Sequence, residues 1–404
     1  MDHPRPPEVK KRRHPVRTVL FAALAVYIAW LAVQILSYRK YVSPPEPARA
    51  EITSFRTDGS PDAAPARAGA PEPVELRGAF HLHTRHSDGT KTVEEVAAAA
   101  ERAGLDFVIL TDHGSPNFAS FDSQRQIGRV MVIAGAEISS SRGHLVALGF
   151  KRPTQRFSQN AESAAREVAA LGGFTVIAHP YSKTRWSWGD RADFSGLEII
   201  SFDSDLRRGW APSLLYAPVL LIKPSLALLK ILDPPTTAVH KWDRLLEEDE
   251  GRAVGPYLGY FSIDAHRLFY ETALGVLNLH VQLDSLAPVD FTEASRAVVE
   301  ALRRGRFYNA VDAAADPAGF RFWAEDGRIA PTVFHIRAPF SFAHEIRLLR
   351  RGATVASGNG PELVFEAREP GVYRAEVYLR ARTPLRRDVP WILSNPIVIR
   401  KDVP

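Results

Sequence analysis

The sequence predicts an α/β domain built on a parallel sheet, with one apolar helix before it and a strand-rich region after it. Three observations support this prediction. Short apolar runs alternate with helical patterns through the middle of the chain, 21 residues near the N-terminus carry no charge, and short strand-like segments with turn residues between them fill the last part. At 404 residues, the chain has room for about two or three domains.

The net charge of +5 is concentrated at the N-terminus. Residues 1–40 contain eight Lys or Arg and two acidic residues, a charge of +6, so the remaining residues carry a net charge of −1. A body without excess positive charge disfavours nucleic acid as a partner. The chain has no Cys, which excludes disulfides and any zinc site built on thiolates.

The uncharged stretch runs from Thr18 to Tyr38, and at about 1.5 Å per residue it is long enough to cross the hydrocarbon core of a membrane. A basic cluster lies before it at residues 10–17, and only Arg39 and Lys40 follow it directly. This excess of positive charge places the N-terminus in the cytoplasm and the rest of the chain on the other side of the membrane.

Two other interpretations of this stretch are a cleaved signal peptide, with a loose A-x-A site at residues 48–50, and a buried core helix. The length of the run and its Pro-rich flank favour a retained anchor. We therefore predict a single-pass protein of the cell (inner) membrane whose main part is periplasmic or extracellular. Its first segments are a basic cytoplasmic tail (1–17), a transmembrane helix (18–38) and a disordered linker (39–76).

Strand and helix patterns alternate after the linker. Residues 92–104, "TVEEVAAAAERAG", have a cap-like Thr92, Glu95 three residues later and a terminal Gly104, which together predict a helix. A second helix is predicted at "AESAAREVAALGG". The strand-like segments are "GAFHLH", "LDFVILTDH", "VMVIAGAEIS", "FTVIAHP", "GLEIISF" and "YLGYFSIDAH".

Imidazole and carboxylate side chains lie where these strands end. Parallel α/β barrels build their active sites at the carboxyl ends of the strands, so side chains from different strands are expected to meet there. Such ligands without thiolate suit zinc, manganese or iron, and nine of them suit two or three ions rather than one. The candidate ligands are His81, His83, Asp88, His113, Glu137, His144, His179, Asp264 and His266.

The other histidines receive different interpretations. A single His on a strand is more often a core or surface residue than a ligand, and this structural interpretation applies to His240, His280, His335 and His344. His86 lies inside the first motif but fits no ligand spacing. It is either solvent-exposed or a contact to substrate.

The segments "HLHTRHSDG", "GLDFVILTDH", "GAEISSSRGHLVALG", "VIAHP" and "SIDAH" resemble the successive motifs of the PHP (polymerase and histidinol phosphatase) metal-dependent phosphoesterases. The resemblance covers about residues 78–312 and includes each ligand motif in order. It implies a distorted (β/α)7 barrel with a site for two or three metal ions. One departure is Ser262-Ile263 before Asp264, where Gly-Ser is more usual in the family.

Matched position by position, the resemblance also divides the ligands among the ions. Glu137 would belong to the first set and bridge to the second. The sets are His81, His83, Glu137 and Asp264 for one ion, His144 and His179 with Glu137 for a second, and Asp88, His113 and His266 for a third.

The resemblance implies hydrolysis of a phosphate mono- or diester by a metal-bound hydroxide, because clustered divalent ions cancel the charge repulsion between the two anions. In "PYSKTRWSWGDR", Lys183 and Arg185 are candidate phosphate contacts, with Trp186 and Trp188 as candidate pocket walls. The alternative is a solvated loop with packed aromatic residues.

Two further regions complete the predicted organisation. Residues 211–232 are strongly apolar but are broken by Pro218 and Pro224 and carry Lys223 and Lys230, so they are either a lid that touches lipid or an apolar substrate, or a helical excursion packed on the barrel. The sequence favours the excursion, as part of a helical insert at about 205–250 within a domain at 77–312. The strands of residues 316–404 suggest an immunoglobulin-like sandwich.

The sequence therefore predicts a membrane-anchored phosphoesterase. Its expected partners are the membrane, through the N-terminal helix, and a phosphorylated small molecule or a lipid- or wall-linked phosphate ester. Two alternatives are a non-catalytic metal-containing binding protein and a PHP-type exonuclease. The charge of −1 on the main part of the chain and its predicted location count against the exonuclease.

Overall fold

The structure is a computed structural model. The predicted tail and linker lie almost entirely outside the described residues, as do residues 209–215 at the start of the insert. The described residues are 15–38, 73–183, 185–188, 194–208, 216–248, 252, 255–267, 269–284, 290–325, 329–339, 344–380, 383 and 385–401.

The described part of the chain combines helices with many short strands. The helices are α1 (Pro15–Tyr38), α2 (Val93–Arg102), α3 (Phe118–Phe121), α4 (Ala161–Ala170), α5 (Phe202–Arg208), α6 (Ala217–Ile222), α7 (Pro224–Ile231), α8 (Thr236–Glu248), α9 (Tyr270–Ala273) and α10 (Phe291–Arg303).

The strands up to the end of the predicted barrel region are β1 (Val74–Leu82), β2 (Phe107–Leu110), β3 (Arg125–Ile127), β4 (Val130–Ala134), β5 (Ala136–Ser140), β6 (Gly143–Leu148), β7 (Phe174–Ile177), β8 (Gly196–Ser201), β9 (Leu258–Ser262), β10 (Leu277–Leu283) and β11 (Phe307–Val311). The remaining strands are β12 (Arg321–Ala324), β13 (Thr332–Arg337), β14 (His344–Arg350), β15 (Ala353–Gly358), β16 (Glu362–Ala367), β17 (Gly371–Leu379), β18 (Ile392–Ser394) and β19 (Ile397–Ile399).

Local sequence signals explain the helix that follows β1. Thr92 caps α2 through a bond from the Glu95 backbone N–H to its hydroxyl, and the Glu95 side chain accepts from the Thr92 backbone N–H. This capping box satisfies two backbone donors at the start of the helix. The buried face of α2 consists of Val93, Val96 and alanines, which pack on the sheet.

Two sheets surround the predicted site. In one, β1, β2 and β4 are parallel neighbours. In the other, the order is β5-β6-β7-β8-β9, and β7, β8 and β9 are parallel. Backbone bonds from Ile263 and Asp264 to the carbonyls of Phe80 and His81 join the end of β9 to β1. The two sheets therefore meet where the candidate ligands lie.

The strand β6 differs from the parallel sheet that the sequence predicts. It pairs antiparallel with both β5 and β7. Only Ser141 and Arg142 connect β5 to β6, and a link this short can form only a hairpin, because a parallel crossover needs a dozen or more residues. The mixed α/β class is as predicted, but the detailed (β/α)7 barrel stays a prediction.

The strand-rich C-terminal region shares a sheet with the preceding part of the chain. β18 pairs with β11, so one sheet runs through β15-β14-β17-β18-β11-β10-β1-β2-β4-β3. Pairing with β18 covers an edge that β11 would otherwise expose. A second, three-stranded sheet contains β12, β13 and β16. The immunoglobulin-like sandwich and the domain boundary near residue 316 stay predictions.

β17 is buried on both faces, whereas its alternating pattern predicts a half-buried strand. Arg374 and Glu376, on the predicted outer face, are almost fully buried. The cause is α8, whose Asp243 accepts two bonds from the Arg374 guanidinium at 2.9 and 3.0 Å. Burial of such charges is tolerated because they are paired. The helical insert thus packs on the C-terminal sheet.

One buried histidine outside the predicted site links β1, β10 and β11. The His280 ring contacts Glu75 at 2.8 Å and Asp312 at 3.0 Å, and Arg77 pairs with Asp312 at 2.5 Å. Burial alone would lower the pKa of His280, but Asp312 and Glu75 raise it to about 9. This histidine therefore has the structural role that the sequence assigns to it.

We predict that the His280 ion cluster makes stability depend on pH. Its stabilisation is fully present below about pH 6.5, the unfolded pKa, and is lost as pH rises through about 9, because the folded state then loses the extra proton. The difference in free energy of unfolding between the wild type and His280→Gln should shrink by on the order of 3 kcal/mol between pH 6 and pH 10. Urea unfolding of the full chain in mild detergent measures it.

The neighbouring variant Val281→Ala is the matched control, because Val281 is a fully buried residue of the same strand without a titratable group. Its loss of stability should be the same at both pH values. An equally pH-independent loss in His280→Gln would contradict the prediction.

Candidate metal centre

The candidate ligands stand on backbone held in an uncommon conformation. His81, His179 and Asp264 have φ values of 69°, 26° and 52°, in the region that L-residues rarely adopt. Each lies at or just beyond the end of β1, β7 or β9. Such strain persists only where the surrounding structure enforces it, and it is concentrated at functional sites. Here it turns three side chains from three strands toward one point.

The first set of ligands is buried and tightly grouped. His81 Nε2 and His83 Nε2 are 3.1 Å apart. Glu137 Oε2 lies 3.2 and 3.1 Å from these nitrogens, and Asp264 Oδ1 lies 3.3 and 3.4 Å from them. These atoms are the four that the resemblance assigns to one ion.

The second oxygen of Glu137 faces a different pair of histidines. His144 Nδ1 lies 2.6 Å from Glu137 Oε1, and His179 Nε2 lies 2.9 Å from the same atom. The two oxygens of one carboxylate thus point at two separate groups of imidazoles. A carboxylate placed in this way could bridge two metal ions, one held by each group.

The third set is more open to solvent. Asp88 Oδ2 lies 3.3 Å from His266 Nε2 and 3.7 Å from His113 Nε2. The side chain of Asp88 is 47% exposed and that of His113 is 32% exposed, whereas those of His81 and His83 are fully buried. His113 Nδ1 also lies 3.2 Å from Glu137 Oε2, so this set adjoins the first.

The donor set fits divalent metal ions. Glu137 Oε2, Asp264 Oδ1 and His113 Nδ1 are buried atoms with no hydrogen-bond partner among the residues that the structure describes. Ligands about 2.1 Å from a tetrahedral metal are about 3.4 Å from one another, close to the 3.1–3.4 Å separations measured in the first set. Buried carboxylates left without donors are costly unless a cation completes the site.

The pKa values of the candidate ligands reflect how close these imidazoles and carboxylates lie to one another. Burial alone would lower the pKa of His83, but its contacts with Asp264 and Glu137 raise it to about 9. Burial likewise opposes ionisation of Glu137, yet the adjacent imidazoles of His81, His144 and His179 hold its pKa well below the usual range. Protons on the rings thus compensate the carboxylates, and metal binding would release them.

Glu198, which is not among the residues predicted from the sequence, contacts two of the candidate ligands. Its Oε1 lies 2.5 Å from His81 Nδ1, and its Oε2 accepts a bond from the His179 backbone N–H at 2.7 Å. Glu198 is 1% exposed and lies within the apolar strand β8. A single acid inside an otherwise apolar strand beside a ligand-rich edge is a signal that identifies such a residue.

Two other acids near the site were also missed. Asp112 accepts bonds from the Thr84 backbone and hydroxyl and from the hydroxyls of Ser87 and Ser120, at 2.6–2.8 Å. It therefore anchors the loop that carries Asp88 rather than acting as a ligand. Asp203 lies in the first turn of α5, two residues after the end of β8, and groups with Asp264 and His266, so its position just beyond a strand end is a signal that identifies it.

The predicted substrate contacts do not join the group formed by the candidate ligands. Lys183, Arg185 and His86 are exposed, Trp186 is buried, and Trp188 is half-buried. A cavity of about 60 Å³ lies beside His179, which forms part of its lining. Among the described residues, its lining contains neither Lys183 nor Arg185. Its lining includes Tyr181, Ser182, Ser201, Asp205, Arg208 and Asp233.

Residues 79–205 match the family model of the PHP domain. This match confirms the resemblance seen in the motifs, and this segment is a PHP domain. A curated relative, phosphoribosyl 1,2-cyclic phosphate 1,2-diphosphodiesterase of Eggerthella lenta, is 28% identical over 151 residues, which is 35% of this chain and 52% of the relative. The chain thus spans about half the length of that relative.

Solved structures with similar descriptions were also found. A two-domain protein from Bacteroides vulgatus, described as containing a predicted PHP-like metal-dependent phosphoesterase, is 13% identical, with 83% of this chain and 100% of that chain covered and a TM-score of 0.38. A putative metal-dependent phosphoesterase from Bifidobacterium adolescentis is 15% identical, with 35% and 83% covered and a TM-score of 0.26.

We predict that Glu198 sets the metal affinity of the site by orienting His81 and His179. Glu198→Gln keeps the shape but removes the charge that fixes the His81 ring, so metal affinity should fall by about 10- to 100-fold. Competition with a fluorescent zinc chelator measures this fall. Glu300→Gln is the control, because Glu300 lies on α10 and pairs with Arg304. Equal affinities in the two variants would contradict the positioning role.

Proposed function

We propose that this protein is a metal-dependent hydrolase that cleaves a phosphate mono- or diester. The observation that carries the proposal is the position of Glu137, whose two oxygens face two groups of histidines. The match of residues 79–205 to the PHP domain agrees with this chemistry. The cyclic phosphate diesterase activity named for the Eggerthella lenta relative supports including cyclic diesters among the candidate substrates.

The three ligand sets would hold two or three divalent ions. Because imidazole and carboxylate are the donors and the chain has no Cys, we propose zinc, manganese or iron. Ions in such a cluster neutralise the charge of the phosphate ester and lower the pKa of bound water. The residues proposed to hold them are His81, His83, Asp88, His113, Glu137, His144, His179, Asp264 and His266.

Buried and exposed side chains of the site would have different roles. The buried first set provides a rigid base, because Glu198 and the backbone contacts to β1 fix its rings. Asp88 and His113 lie on the more exposed side of the site, and the ester and water would approach the ions from that side. Arg208, whose side chain is 54% exposed, lies at the cavity that begins at His179 and is a candidate phosphate contact. Lys183, Arg185 and His86 stay predictions.

The location of the protein is proposed from its N-terminal region. One helix, Val16–Leu36, is long and apolar enough to cross a membrane. Together with the basic residues before it, this supports a single-pass anchor with a cytoplasmic N-terminus and a catalytic domain outside the cytoplasm. A reporter fused to the C-terminus that is active only in the cytoplasm would contradict this topology.

We predict that the full chain, purified in detergent, binds two or three divalent ions and releases product from a generic ester only when they are present. Elemental analysis gives the ion content, and p-nitrophenyl phosphate and bis-p-nitrophenyl phosphate report mono- and diester cleavage. Chelation should abolish turnover, and Mn²⁺ or Zn²⁺ should restore it. The double variant His81→Ala, His83→Ala should lose metal and fall in activity by on the order of 1,000-fold.

His335→Ala is the matched control, because His335 contacts Glu325 and Glu362 at the three-stranded sheet, away from the ligand sets. It should keep both metal and activity. Bound metal without cleavage of either ester would favour the non-catalytic binding protein, and full metal content in the double variant would contradict the first ligand set.

A further inference from the structure

The helices of the apolar insert pack against the N-terminal helix. Leu31 of α1 is buried together with Val219 of α6 and with Leu226 and Ala227 of α7. The rings of Trp30 and Tyr216 lie 5.2 Å apart. The partly buried residues around this contact are Tyr27, Trp30, Ile35, Tyr216 and Leu220.

The contact lies well inside the apolar span of α1. The contact begins at Tyr27, nine residues before Leu36, where the apolar span ends. Nine helical residues rise about 14 Å, which is nearly half of a hydrocarbon core about 30 Å thick. In a helix that crosses the membrane, the residues packed beside Tyr27 and Trp30 therefore lie below the head groups, within the leaflet on the catalytic side.

The exposed surface of the insert suits this position. Leu221 and Ile222 are 89% and 61% exposed, among the most exposed large apolar side chains in the described residues. Pro218 and Pro224 lie in the first turns of α6 and α7, where proline does not interrupt a helix. Lysine ends can reach from apolar surroundings to the head groups, so Lys223 is compatible with a helix pair lying in the membrane interface.

The insert is also joined to the metal centre. Leu228 and Leu229 of α7 are buried in the main core, so α7 packs on the catalytic region as well as on α1. The chain leaving α7 passes through Asp233, which lines the cavity together with Ser182 and His179. A molecule whose phosphate reaches His179 therefore has the base of the membrane-facing insert beside it.

We propose that α6 and α7 are embedded in the bilayer beside α1 and that the substrate is a phosphate ester of a membrane lipid. This rests on the proposed function. The insert holds the metal centre at the level of the head groups, where the phosphate of a lipid lies within reach. The lipid tails stay in the bilayer, against the exposed face that includes Leu221 and Ile222.

The reaction at such a substrate is a hydrolysis. The oxygen of one water molecule bonds to phosphorus, and the bond from phosphorus to the leaving alcohol oxygen breaks. That oxygen takes one proton of the water, and the second proton stays with the phosphate product or passes to solvent. Water is the only co-reactant.

The position of the insert is tested by labelling a single cysteine, because the chain has no native Cys. Leu221→Cys carries an environment-sensitive fluorophore in the full chain, reconstituted in phosphatidylcholine vesicles. Spin-labelled acyl chains should quench its emission. Val364→Cys, on β16 with its side chain 55% exposed, is the matched control and should stay unquenched. A label at position 221 that is quenched no more than this control overturns the proposal.

The substrate class is tested with matched pairs of esters. Phosphatidic acid and phosphatidylglycerol in those vesicles are compared with their deacylated counterparts, glycerol 3-phosphate and glycerophosphoglycerol. At least one lipid should be cleaved at least tenfold faster than its soluble counterpart. In Leu221→Lys, Ile222→Lys this ratio should fall at least tenfold relative to Val364→Lys.

The outcomes separate the two proposals. Cleavage of soluble esters at rates equal to or above those of the lipids overturns the lipid substrate and leaves the phosphoesterase intact. No cleavage of any ester by the metal-loaded protein, lipid or soluble, overturns the proposed function and the lipid substrate with it.

Discussion

The carboxylate of Glu137 is the contact on which the arrangement of the site depends. It lies at a buried position, where an ionised carboxylate is stable only with compensating charge, and imidazoles from several parts of the chain surround it. These histidines stand at or near the ends of β1, β2, β6 and β7, which belong to two sheets, so the charge of one residue ties the two sheets together. The left-handed backbone of His81 and His179 is strain that this convergence must balance.

The supporting residues explain why such a site stays in place. Glu198 contacts the His81 ring and the His179 backbone, and Asp112 anchors the loop that carries Asp88. The joining of β9 to β1 through backbone bonds places Asp264 next to His81. The ligands therefore depend on a shell of buried acids and on closure between distant strands. This explains how the candidate ligands can be held in place for cations.

Strand-end position and residue type are local properties, so the sequence can identify candidate ligands that the fold brings together. The pairs His81/His83 and Asp264/His266 and the single acid Glu137 all fall within the groups that the structure brings together. Glu198 was not predicted, because a buried acid that acts through other residues leaves no spacing motif. The burial of Arg374 was missed for a related reason: the alternation along β17 describes one strand and does not reveal that α8 covers its second face.

The contacts of the insert at residues 211–232 also could not be predicted, because a local sequence pattern does not reveal tertiary contacts. Its apolar sequence, interrupted by prolines, is compatible with a lid, a packed excursion or contact with lipid, and its own residues favour the packed excursion without revealing what it packs against. The distinguishing feature is a tertiary contact with a helix nearly two hundred residues earlier in the chain. α7 buries Leu228 in the main core and Leu226 against α1, so packing on the catalytic region and contact with the anchor are both satisfied. A helix that served only as a tether would need no such contact. In the proposed membrane arrangement, the connection from α1 through α7 to the cavity at His179 would hold the candidate metal centre at the level of the head groups.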